Sequence, residues 1–100
     1  MTTKKIFGTK ELEKSIGGLT FGKLLESHRL SQEVSQRELS KLLGISPSSL
    51  CDLEKGRKIP SPSRADSIAA KLGLSRKLWV KTALQDQLRE QGLKYIVSVA

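Results

Sequence analysis

Apolar residues recur along this chain in short clusters at helical spacing, each opened by a serine or threonine and closed near a glycine. Behind Thr20, the positions Phe21, Leu24 and Leu25, with His28 one turn further on, predict a capped helix from Phe21 to about Leu30. Ser35, with Glu38 three residues later, forms a Ser-x-x-Glu capping box for a helix over Gln36–Leu43 that should bury Leu39, Leu42 and Leu43 before Gly44 stops it. Ser46-Pro47 then pairs an N-cap with a proline at the first helical position, where the missing N–H is harmless. The helix it opens runs to Lys55, buries Leu50 and Leu53, and is closed by Gly56.

Pro60-Ser-Pro62 reads as a rigid link, with Ser61 or Ser63 capping a fourth helix that ends at Lys71–Leu72 and turns Ala65, Ile68, Ala69 and Leu72 inward. Ser75 caps a fifth helix that reaches Glu90 or Gln91, with Trp79, Leu78, Ala83 and Leu84 as its packing side. After Gly92, Leu93, Tyr95, Val97 and Val99 alternate with Lys94, Ile96, Ser98 and Ala100. That β-branched alternation predicts a strand, and a lone strand needs a second chain to pair with. The expected fold is therefore all-α, five short helices with a C-terminal β-strand. Residues 1–18 are expected to be a polar arm, with one helical turn near Glu11–Ser15; residues 19–74 form the main domain, and residues 75–100 serve dimerisation or partner binding.

One hundred residues suffice for one domain with a modest core. No apolar run approaches the roughly 18 residues of a membrane span. The charged opening Met1–Lys5 is followed by no apolar stretch, so no secretory signal is expected, and the single Cys51 suits a reducing cytoplasm. The net charge of +8 is unevenly placed. Residues 55–81 hold eight basic side chains against the single acid Asp66, while the segments on either side are nearly neutral. A basic block inside a folded region suits a polyanion-binding surface, although a merely solvated lysine-rich face is the plain alternative.

Candidate catalytic chemistry is thin. His28 and Cys51 have no sequence tie to one another, and a nucleophilic thiol would need a base. No glycine-rich phosphate loop, carboxylate pair or Cys/His metal spacing is present, so no enzyme, metal or cofactor is expected.

The two central helices are another matter. Two short helices joined at Gly44 must cross steeply, and the second then offers its N-terminal half to a DNA major groove. Its outer face, Ser48, Ser49, Cys51 and Asp52, is small and polar enough to sit deep. The run Gln36-x-x-Leu39-Ser-x-x-Leu-Gly44-Ile-Ser, with Leu53-Glu-x-Gly56 and Pro60 after it, resembles the phage repressor and Cro type helix-turn-helix of the Xre family. The resemblance covers about residues 20–74 and implies a five-helix lambda-repressor-like domain. It further implies base reading by Gln36, Pro47, Ser48 and Asp52, and phosphate contact by Ser49, Lys55, Arg57 and Lys58. Arg29 and Glu54 match a structural ion pair. Where relatives often carry long amides or arginines, this chain has Pro47, Ser48 and Asp52; phosphate oxygens repel an aspartate, so Asp52 could instead orient a neighbouring basic side chain.

Leu19–Leu25, Leu50–Arg57, Pro60–Pro62 and the stretch from Ala83 to Val99 resemble a subgroup encoded beside toxins of the RelE/HigB type. The expectation is thus a dimeric repressor of its own operon on an inverted repeat of double-stranded DNA, with Leu84, Leu88, Tyr95, Val97 and Val99 facing the second copy or a toxin. An antitoxin acting chiefly on its toxin, and a nonspecific DNA-binding protein, remain the alternatives.

Overall fold

A computed structural model of the chain describes residues 19–98; the expected arm over 1–18 and the last two residues, Val99 among them, lie outside that range. Five helices follow in order: α1 Phe21–Ser31, α2 Gln36–Leu43, α3 Pro47–Glu54, α4 Pro62–Leu72 and α5 Arg76–Glu90. Local chemistry sets their ends. Thr20, Ser35, Ser46, Ser61 and Ser75 each accept a hydrogen bond from the backbone N–H three residues on. At Ser35 the capping box is complete, because Glu38 returns a carboxylate to the Ser35 N–H at 2.9 Å. α2 ends at Gly44, whose φ of 72° is left-handed backbone that a residue with a Cβ adopts only with strain.

The helices close around Phe21, Leu25 and Leu50, which are fully buried. Leu39, Leu43, Leu53, Ala65, Ile68, Ala69, Trp79 and Ala83 complete this core. Trp79 meets the Phe21 ring edge-on at 5.4 Å, a favoured aromatic geometry that ties α5 to α1. α4 and α5 form the most extensive helix pair. Gly22 permits a close approach of α1 to α3: a Cβ there would lie 2.5 Å from the Leu53 carbonyl oxygen and 2.6 Å from that of Glu54. α1 can therefore press against the end of α3 only with glycine at that place.

Three expectations need correction. Leu42 is 60 % exposed. Leu39 and Leu43, four residues apart, take the inward stripe of α2, and Leu42, turned about 100° from Leu43, faces out. In α5, Leu78 is exposed and Leu84 only half-buried, while Thr82, Gln85 and Asp86 are buried beside Trp79 and Ala83. The C-terminal strand is not formed: among the described residues there is no strand. Gly92 turns the chain back along α5, where the Gln85 side chain donates to the Tyr95 carbonyl at 2.7 Å and accepts from the Val97 N–H at 2.8 Å. One side-chain amide thus serves two backbone groups that a neighbouring strand would otherwise serve. With no second row of backbone beside it, the segment cannot form a ladder.

Candidate nucleic-acid interface

Gly44 and Ile45 are the hinge between α2 and α3. The Ile45 N–H bonds the Ser40 carbonyl at 3.0 Å, and Lys71 of α4 reaches across to cap the Leu43 carbonyl at 3.0 Å. Held so, α3 presents its first turn outward. Pro47 and Ser48 are exposed, while Ser49, Cys51 and Asp52 are half-buried. The Ser46 hydroxyl accepts from the Ser49 N–H and donates to the Ser49 hydroxyl, both at 3.0 Å, so the start of the helix is a fixed polar edge.

At the other end of α3 the loop turns back on the helix. The Arg57 and Lys58 N–H groups donate to the Asp52 carbonyl, and Arg57 places a guanidinium nitrogen 3.0 Å from the Asp52 carboxylate. That hydrogen bond, with a weaker contact to the Cys51 sulfur at 3.9 Å, raises the Arg57 pKa above its ordinary value. Asp52 therefore has one oxygen committed to Arg57, and the pair stands at the surface. Lys55 and Lys58 are exposed beside it.

Behind this surface lies a buried junction of three helices. Glu54, whose side chain is fully buried, accepts from Arg29 through both carboxylate oxygens, at 2.8 and 3.2 Å. The Arg29 side chain is itself only 12 % exposed and donates also to the Val34 carbonyl. The Glu54 hydrogen bond raises the Arg29 pKa, against the opposing effect of burial. Gln36, at the first position of α2, donates its side-chain N–H to Glu54 at 2.8 Å. One carboxylate at the end of α3 thus fixes α1 and the start of α2 together, and it orients the Gln36 amide, whose oxygen is left for another partner.

The basic block divides by role. Lys71 caps α2, and Arg76 forms a paired hydrogen bond with Asp66, at 2.8 and 2.6 Å, that lowers the Asp66 pKa. Arg57 is paired with Asp52, and Lys55, Lys58, Arg64, Lys77 and Lys81 have no side-chain partner among the described residues. Of the residues expected to meet a second chain, Leu84, Leu88 and Val97 are half-buried and Tyr95 is 68 % exposed. Gln85 and Asp86 escaped the sequence reading, since polar side chains at helical positions ordinarily point to solvent. Asp86 accepts from the Phe21 N–H at 2.9 Å and from Arg89 at 2.8 Å, and so holds the start of α1.

A helix-turn-helix family profile matches residues 25–79, more than half of the chain. The chain is also 31 % identical over 70 residues to the ImmF control region 10 kDa protein of Bacillus phage phi105, an alignment that covers 70 % of this chain and 78 % of the phage protein. The chain belongs to the Xre-type helix-turn-helix family. Members of this family are DNA-binding transcriptional regulators, and so is this chain. No solved structure matches it significantly. The regulator's matched span runs from the core of α1 into the first turn of α5, so it takes in α2, α3 and the flanking basic loop. Among the described residues no helix of the regulator is long and apolar enough to cross a membrane.

Proposed function

We propose that the chain acts as a homodimer that binds an inverted repeat in the promoter of its own operon and represses it. The observation that carries this reading is the outward first turn of α3, small and polar, beside a loop bearing Lys55, Arg57 and Lys58. Base reading falls to Gln36, Pro47, Ser48 and Asp52. Serine can donate to or accept from a base edge, and the Gln36 oxygen can accept from an adenine or cytosine amino group. Asp52, with one oxygen on Arg57, keeps the other to accept from cytosine N4. Ser49, Lys55, Arg57 and Lys58 meet phosphates, which set register rather than sequence preference. That the phage relative is named for a control region supports a place at a promoter.

A second reading draws on the tail. Leu93, Tyr95 and Ile96 are exposed on an extended segment whose one edge is held by Gln85. Such a surface suits a second chain. We infer that this second chain is the same segment of another copy, with Leu84 and Leu88 beneath. The alternative occupant is a toxin of the RelE/HigB type, which would make the chain an antitoxin.

A reporter fused to the DNA upstream of the chain's own gene tests the repression. Supplying the protein should lower expression, and Ser48→Ala should relieve the effect by weakening the cognate site by about 1 kcal/mol, some fivefold, while random DNA loses far less. Unchanged expression with wild-type protein would refute autorepression. Equal losses on cognate and random DNA would mean that Ser48 reads no base.

A further inference from the structure

An open cleft of about 390 Å³ lies between the first turn of α1, the end of α3 with its following loop, and the last turns of α5. Leu53 and Ile59 supply apolar wall, and Lys23, Lys55 and Lys58 line it from two separate parts of the chain. None of these three lysines has an ion pair or a side-chain hydrogen bond among the described residues. The acids are differently placed. Glu54 is taken by Arg29 and Gln36, and Asp86 by the Phe21 N–H and Arg89. Glu90 alone is an uncommitted carboxylate in the lining, against three uncommitted ammonium groups.

Three unpaired cations lining one open cleft must face either solvent ions or a polyanion. We propose that the cleft seats a phosphate of the DNA backbone and that Lys23 is a phosphate-binding residue alongside Lys55 and Lys58. The inference rests on the DNA-binding reading and extends it to α1, far from the basic block in sequence. Two features favour a DNA phosphate over a free small anion. Lys55 and Lys58 belong to the loop that directly follows the recognition helix, so the cleft continues the DNA-facing surface. The three lysines are also exposed, and the buried polar groups of the lining, Glu54 and Asp86, are acids already engaged by protein donors. Nothing buried therefore selects a small anion, whereas a phosphate carried by docked DNA is positioned by the rest of the interface. Glu90, in the same lining, repels an anion and so disfavours a free one held by these lysines alone.

Each phosphate neutralised by a cation releases about 0.9 of a counterion from duplex DNA, which appears directly in the salt dependence of binding. The test measures binding of the full chain to a duplex carrying its site and to a random duplex, each over a range of salt. Lys23→Ala should make the slope of log affinity against log salt shallower by about 0.9 on both duplexes, and Lys23→Arg should restore it. Lys58→Ala serves as the reference for the loop. If Lys58→Ala flattens the slope and Lys23→Ala does not, the cleft proposal fails while the DNA-facing loop stands. If neither variant changes the slope, both fail. A Lys23→Ala loss confined to the specific duplex would also overturn the proposal. So would an unchanged DNA affinity in a protein whose melting temperature rises with added inorganic phosphate, since the cleft would then hold a free anion.

Discussion

Glu54 shows how much a single buried carboxylate can organise. Its two oxygens receive Arg29 from α1 and Gln36 from α2, so removing it leaves a nearly buried guanidinium without its counter-charge. Breaking a well-buried pair from one side costs about 3 kcal/mol or more, well above the value of an exposed pair. Glu54→Ala should therefore lower the melting temperature by about 12 °C or more in a domain of this size. Glu54→Gln, which can still accept from Arg29 through its carbonyl, should fall between the two. A melt for Glu54→Ala identical to that of the parent would show that the junction contributes nothing. At this scale the sequence was informative where a residue acts on its neighbours. The caps at Thr20, Ser35, Ser46, Ser61 and Ser75 were readable because each acts three residues away. The Gln36–Glu54 bond was not, because its partners lie 18 positions apart and meet only when α2 and α3 cross.

Among the elements, α5 departs furthest from what periodicity suggests. Its buried set mixes Trp79 and Ala83 with Thr82, Gln85 and Asp86. Periodicity weighs hydrophobicity alone, and so it passes over polar side chains that are buried because they serve backbone groups elsewhere. Asp86 serves the first N–H of α1, and Gln85 serves the tail. The alternation from Leu93 onward predicts a strand that is not formed, because alternation cannot say what lies alongside. Here it is a side-chain amide rather than a strand. The opposite edge, carrying the backbone groups of Lys94 and Ile96, faces away from Gln85 and suits the second copy proposed above. Truncation after Gly92 should leave helical content nearly intact and shift the protein from dimer to monomer in sedimentation, with steeply weakened operator binding. If the truncated chain stays dimeric, the tail is not the dimer contact, and toxin binding becomes its purpose.

For the whole molecule, the net charge of +8 matters less than how it is spent. Sequence alone marks residues 55–81 as the basic region, yet within it Lys71 caps α2 and Arg76 is bound to Asp66. Conversely, Lys23 lies in a segment that is nearly neutral overall and is brought beside Lys55 and Lys58 by the packing of α1 against α3. Summed charge along a chain therefore outlines a DNA-binding face without its membership, which the crossing of helices decides. On the function proposed above, this face reads a defined site in the register of a two-fold dimer. A footprint of the full chain on the DNA upstream of its own gene tests it most directly. The expected result is a short protected palindrome whose half-sites lie about 10 base pairs apart, centre to centre, one turn of the double helix. Uniform protection along the fragment, with no symmetric pair of half-sites, would contradict it.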